Sequence, residues 1–138
     1  MKIDGRCHCG RITYAAEIDP RKVLVCHCTD CQTLSGTAFR TVVPTVPDSF
    51  RLLSGEPKIY VKTSDRGTKR PLAFCPDCGT QIYGTGTGDG PKVHSLRVGT
   101  ITQGNTLTPR AQIWCRSEQP WINSLSSIPR NQTQPPSR

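Results

Sequence analysis

The sequence has little that is apolar. Hydrophobic residues make up 34% of its 138 positions, aromatic residues 6%, and there is a single methionine. A core drawn from so few large side chains leaves a thin stability margin, so staples other than burial are expected. No run approaches the roughly 20 apolar residues of a membrane-spanning helix, and the opening MKIDGRCHCG lacks the hydrophobic stretch of a signal peptide. These absences lead to the expectation of a cytoplasmic protein with no membrane partner. No segment repeats apolar residues at helical spacing over several turns, which argues against a helix bundle. The glycine-rich YGTGTGDGP has neither the spacing nor the lysine of a phosphate-binding loop and reads as a flexible connection. Acidic residues are scarce, ten against 18 Lys and Arg, giving a formal net charge of +8. The basic positions are scattered, from Arg6 and Arg11 through Arg21, Lys22, Lys69 and Arg70 to Arg130, without the interleaved aromatics of a single-strand nucleic-acid platform. An ordinary solvated surface is expected, with at most a mild attraction for small anions, and nucleic acid is disfavoured as a partner.

What the chain does have is turn residues and sulfur. Twelve glycines and twelve prolines cut it into short pieces, the punctuation of a mainly β protein. RITYAAEI alternates, with Ile12 and Tyr14 on one face, and TAFRTVVP, KIYVKT, KVHSLRVGTI and RAQIWC are further strand candidates. One short helix is expected at TDCQTLS, ended by Gly36. A single zinc-binding domain over residues 1–125 would then be followed by a polar, proline-rich tail at 126–138.

Eight cysteines in a reducing compartment point to metal ligands or reactive groups rather than a disulfide framework, and Cys7/Cys9 and Cys26/Cys28 are too close together to cross-link distant loops. CHCG at 7–10 and CPDCG at 75–79 both place a glycine directly after the second cysteine, where the backbone must turn tightly to aim amides at sulfur. Cys7, Cys9, Cys75 and Cys78 therefore suggest a four-thiolate structural zinc site with no open position. Cys26, Cys28 and Cys31 have no matching pair. In an extended segment Cys26 and Cys28 share a face while His27 points away, and Cys31 can fold back from the following turn. Three ligands with a vacant fourth position are how catalytic zinc is held. By the same alternation His8 and His27 are not expected to be ligands, and His94 is given no role. Cys115 is expected to be a small buried hydrophobe; the alternative makes it the fourth ligand of the second site, which would turn the chain into a two-zinc structural module.

GRCHCGRITY at 5–14, CHCTDCQTLSGTAF at 26–39, FRLLSGEP at 50–57, FCPDCGTQIYG at 74–84 and QPWI at 119–122 together resemble the glutathione-dependent formaldehyde-activating enzyme family, which also includes a centromere protein. The resemblance implies a fold like that of the Rab-binding protein Mss4, with coiled antiparallel β-sheets around a structural zinc. It implies Cys7, Cys9, Cys75 and Cys78 as ligands of that zinc, and Cys26, Cys28 and Cys31 as ligands of a second, catalytic-type zinc. It also implies an activity, the joining of glutathione to formaldehyde, formally a reversible carbon–sulfur lyase reaction with a small thiol and an aldehyde as partners. A divalent ion on three thiolates carries one net negative charge, which makes it a poor generator of hydroxide and a good holder of another soft thiolate. The leading expectation is a zinc-dependent carbon–sulfur lyase acting on a small thiol adduct. The alternatives are a zinc-stabilised binding module for nucleic acid or a protein partner, and a redox-responsive protein whose open thiolates oxidise.

Overall fold

The computed structural model describes residues 1–135, so residues 136–138 of the expected tail lie outside the described residues. Two sheets carry the architecture. The smaller has the order β1 (Lys2–Arg6), β2 (Thr13–Glu17), β5 (Arg51–Ser54). The larger runs β10 (Ala111–Ile113), β3 (Leu24–Cys26), β4 (Arg40–Pro44), β9 (Ser95–Arg97), β8 (Gln81–Gly84), β7 (Lys69–Phe74), β6 (Lys58–Thr63). The protein is mainly β, with one α-helix, α1 (Thr29–Ser35), and several single 3₁₀ turns among the described residues. This is consistent with an Mss4-like fold. One pairing departs from the expected antiparallel pattern: β10 runs parallel to β3. A parallel neighbour needs a long crossover, and here most of the chain separates the two strands.

Alternation explains which side chains are buried. Tyr14 and Ala16 on β2 face inward and meet Val43 of β4, Ile82 of β8 and Leu96 of β9 in one apolar cluster. The Tyr14 hydroxyl lies 2.7 Å from Thr100 Oγ1, which donates to the Arg97 carbonyl at 2.8 Å. The smaller sheet is thereby tied to the end of β9. The opposite face of the larger sheet follows from its register. Cys26 pairs with Arg40, Leu24 with Val42, and Val42 with Arg97, so these residues share the face away from the core. Arg70 and Leu72 of β7 continue that face through the pairing of Leu72 with Gly84. α1 caps one end of it. Its N-cap is Cys28, whose sulfur accepts from the Cys31 amide at 3.2 Å, and its C-cap is Gly36 at φ 71°, as expected for a helix stopped in the left-handed region.

Candidate metal centres and the cavity between them

The two knuckles are hairpin turns from different sheets. Cys7–Gly10 joins β1 to β2, and Cys75–Gly79 joins β7 to β8. Gly10 and Gly79 adopt φ 82° and 77°, a left-handed turn that a side chain resists. Each also closes back on the first cysteine of its own pair, Gly10 N–H to the Cys7 carbonyl at 3.1 Å and Gly79 N–H to the Cys75 carbonyl at 2.9 Å. The ligand atoms of Cys7, Cys9, Cys75 and Cys78 all lie within 4.8 Å of one another. Cys7 Sγ is 3.6 Å from Cys9 Sγ, and Cys9 Sγ is 3.8 Å from Cys75 Sγ. A tetrahedron of sulfurs about zinc has an edge of about 3.8 Å, given a Zn–S bond near 2.3 Å. The four cysteines therefore fit that ion. Thr80 joins the two knuckles: its hydroxyl oxygen accepts from the His8 amide at 3.0 Å, which frees its proton for Cys78 Sγ at 3.2 Å. That hydroxyl, with the Cys9 and Thr80 amides, draws the Cys78 thiol down to about 5.

Cys26, at the end of β3, Cys28, the N-cap of α1, and Cys31, in its first turn, form a second cluster within 4.8 Å. His27 points to the other side, as the alternation predicts. It is 1% exposed, with Nε2 2.8 Å from Gln112 Oε1 and its ring packed on Phe39 at 5.7 Å. The three thiols hold their protons unequally. Burial, with Cys26 and Cys28 adding to it, pushes Cys31 up to about 12, and burial also raises Cys26. Burial acts on Cys28 too, but the Cys31 amide, both neighbouring thiols and Lys62 outweigh it and lower that thiol. A metal bound there must displace at least the protons of Cys26 and Cys31 at neutral pH. Its affinity should therefore rise with pH, by about two decades per unit from these two thiols alone, and fall correspondingly on acidification. Competition against a chromophoric chelator between about pH 6.5 and 8 would measure that slope, and a slope near zero would contradict it.

Cys115 corrects an expectation. It is exposed rather than buried, because the chain leaves β10 through Trp114 at φ 58° and turns outward. Nor does it join the three-cysteine cluster. Its sulfur gathers instead with His27 and Glu118, within 4.8 Å. The segment that carries it is pinned to α1 by Gln32, whose side-chain amide donates to the His27 and Ser117 carbonyls at 2.8 and 2.9 Å.

A cavity of about 280 Å³ opens beside Cys26, Cys28 and Cys31. Arg40, Arg70 and Arg97 line it, with Leu24, Val42 and Leu72 as its apolar wall and Ile113 and Trp114 at the end formed by β10. A second cavity of about 620 Å³, which includes Arg66 and Arg116, shares Cys28, Asp30, Lys62 and Trp114 with it. Lys62 is paired with Asp30 at 2.7 Å. Sequence reasoning missed the arginines by placing the basic residues on a solvated surface. Arg40 is only 8% exposed, and its Nε and Nη2 have no hydrogen-bond partner among the described residues. The signal was present in TAFRTVVP and KVHSLRVG, where a charge occupies the middle of an otherwise β-branched or apolar strand.

The model of the family described as glutathione-dependent formaldehyde-activating enzyme matches residues 2–117, most of the chain and all seven clustered cysteines. The chain belongs to that family. Among solved structures, this family member is similar to a Rhodobacter sphaeroides protein determined by crystallography in a structural-genomics programme. The two are 17% identical with a TM-score of 0.60, over 79% of this chain and 98% of that one. At that identity the likeness concerns the fold alone. No curated protein matches the chain in sequence. Both of its cysteine clusters could hold a metal ion such as zinc, and no helix among the described residues is long and apolar enough to cross a membrane.

Proposed function

We propose that the chain is a zinc-dependent enzyme of the carbon–sulfur lyase type that joins a small thiol to an aldehyde carbon, and releases it in reverse. Glutathione and formaldehyde, giving S-hydroxymethylglutathione, are the pair the family description suggests. The observation that carries the reading is the three-cysteine cluster at the wall of a cavity, one sulfur short of a closed tetrahedral set. Cys7, Cys9, Cys75 and Cys78 would hold a structural zinc between the two sheets, and Cys26, Cys28 and Cys31 a second. Zinc at the second site would supply an open coordination position that lowers the pKa of a substrate thiol and makes it a nucleophile at neutral pH.

The chain's own contribution is placement. Cys26 is fixed by β3, whose partner β4 lies under the cavity, and Cys28 and Cys31 are fixed to each other by the N-cap hydrogen bond. Trp114 and Ile113 form the wall of the cavity on the β10 side. In the forward direction the substrate sulfur donates its electron pair to the aldehyde carbon, forming the C–S bond. The carbonyl π pair moves to oxygen, which gains a proton. The thiol gave up one proton, so the net reaction neither consumes nor releases any.

Cobalt-substituted protein provides the test, because sulfur-to-cobalt charge-transfer bands count thiolates. Addition of glutathione or a smaller thiol should change one of the two cobalt spectra from three-sulfur to four-sulfur character, saturably, and leave the other unchanged. Two four-sulfur sites before any addition, or a spectrum indifferent to every thiol, would return the chain to the zinc-stabilised binding module.

A further inference from the structure

We propose that His27, Cys115 and Glu118 form a further metal site, separate from the two cysteine clusters, which takes a borderline divalent ion such as zinc and leaves one coordination position open.

The donors come from two stretches of sequence that the fold pins together. Cys115 and Glu118 stand three residues apart on a 3₁₀ turn, closed by the Glu118 amide donating to the Cys115 carbonyl at 3.1 Å. Side chains at that spacing in a 3₁₀ turn eclipse, so the thiol and the carboxylate project to one side. His27 points away from Cys26 and Cys28, by the alternation that keeps it out of their set. Its own backbone is tied to the turn. The His27 amide donates to the Ile113 carbonyl at 3.1 Å, and the Gln32 side-chain amide donates to the His27 and Ser117 carbonyls. The Gln119 side-chain amide donates in turn to Gln32 Oε1 at 2.7 Å. A His27 ring nitrogen, Cys115 Sγ and a Glu118 carboxylate oxygen are thereby gathered within 4.8 Å of one another.

The three side chains are also unclaimed. Gln112 Oε1 can only accept, so His27 Nε2, 2.8 Å away, carries the ring proton and Nδ1 keeps a lone pair. Nδ1 is buried and has no hydrogen-bond partner among the described residues. A metal-ligating histidine is held in this way, one ring nitrogen donating to an oxygen and the other left for the ion. Glu118 makes no ion pair among the described residues, and Cys115 is a free thiol. Around one tetrahedral zinc, nitrogen, oxygen and sulfur stand about 3.3–3.6 Å apart. Cys115 and Glu118 are both exposed, so their side chains can turn in to that spacing while Gln112 holds the buried ring. They are also the way in for the ion, since Nδ1 itself does not reach solvent.

One thiolate, one carboxylate and a neutral imidazole leave a divalent ion with no net charge, where three thiolates leave it with one negative charge. This site is therefore the harder of the two open ones, better suited to an oxygen ligand such as water at its vacant position. With a single thiolate it should hold its ion less tightly and fill after both cysteine clusters.

The test uses the full chain, kept reduced under nitrogen and titrated with cadmium in place of zinc, because the cadmium NMR shift reports how many sulfurs surround each ion. Resonances of a four-sulfur and a three-sulfur site should be complete at two equivalents. A third, at the shift of one sulfur with nitrogen and oxygen, should then grow to one further equivalent and saturate. Cys115→Ser should abolish the third resonance and leave the first two, and Glu118→Gln should weaken the third ion's affinity by about tenfold or more. Both residues are exposed, so neither variant threatens the fold. Cys31→Ser removes a different ion, so combining it with Cys115→Ser should cost two ions and not one. Absence of a third resonance, its survival in Cys115→Ser, or unchanged affinity in Glu118→Gln would overturn the inference. So would a Cys115→Ser spectrum altered at the Cys26, Cys28 and Cys31 site instead, which would make Cys115 a ligand there. Uptake beyond two equivalents with no plateau would mean an adventitious ion only, and would sink the site as well.

Discussion

Cys75→Ser is expected to unfold the protein, and Cys31→Ser to leave it folded with about one metal ion fewer. Cys75 is 0% exposed and belongs to the apolar core beside Cys7, Tyr14 and Ile82. Serine there loses a thiolate from a set of four and leaves a hydroxyl in an apolar cluster, where an unsatisfied group costs about 1–3 kcal/mol by itself. The larger loss would be that of an ion held by the four cysteines. Structural zinc binding contributes about 10–16 kcal/mol in small metal-folded domains, against a total stability of about 5–15 kcal/mol for an ordinary domain. The two hairpin turns that this set joins come from different sheets, so its loss separates the layers that enclose the core. Cys31 differs in position. It is half-buried, sits in the first turn of a seven-residue helix, and is not a member of the core cluster. Circular dichroism melting together with metal content per chain distinguishes the two variants. Comparable unfolding in both would contradict the division of labour between the clusters.

The clusters were legible because their spacing is local. C-x-C-G and C-x-x-C-G each describe one tight turn, and a turn's requirements are written in consecutive residues such as Gly10 and Gly79. The helix at TDCQTLS was legible for the same reason, with Gly36 marking its end. Strands of alternating or β-branched residues were read with similar success: β2, β4, β6, β9 and β10 fall within the stretches expected. β7 was not, and its sequence KRPLAF explains why. Pro71 lacks the amide a central strand normally donates, yet β7 lies between β6 and β8. The structure accommodates it because the Pro71 carbonyl still accepts, from the Thr85 amide at 3.0 Å. β5 (RLLS) is exposed at every residue, so no burial pattern betrays it.

What the sequence could not express was convergence at long range. Arg40, Arg70 and Arg97 are dispersed along the chain and come together through the order β3-β4-β9-β8-β7, in which neighbours in space are far apart in sequence. Read singly, each arginine is a surface charge. Cys115 failed in the opposite direction. IWC resembles the end of a buried strand, but β10 is an exposed edge that stops at Ile113, and left-handed Trp114 swings the thiol outward. A non-glycine residue held in that conformation costs on the order of 1–3 kcal/mol, and such strain concentrates at ligand clamps; here it places the indole on the walls of both cavities.

Leu96→Ala should then cost about 2–5 kcal/mol, the range for emptying a fully buried leucine site. Leu96 is 0% exposed and lies in register with Val43 on one side and Tyr83 on the other, at the middle of the larger sheet. Its strand is three residues long, and its neighbours Ser95 and Arg97 face the cavity. The same short strand therefore anchors the core with one side chain and lines the cavity with the next. A chain with 34% hydrophobic residues has few other large side chains to compensate. Urea denaturation of the metal-loaded protein measures the cost, and a value below about 1 kcal/mol would mean that β9 is not the seam on which the core depends. The cavity wall at Arg97 should be disturbed much less in the fraction that stays folded. The Arg97 backbone is held from the other sheet by Thr100 and Tyr14, whose hydrogen bonds the substitution does not touch. Core stability and the cavity wall at β9 are thus separable by a single residue step, as the two faces of a strand require.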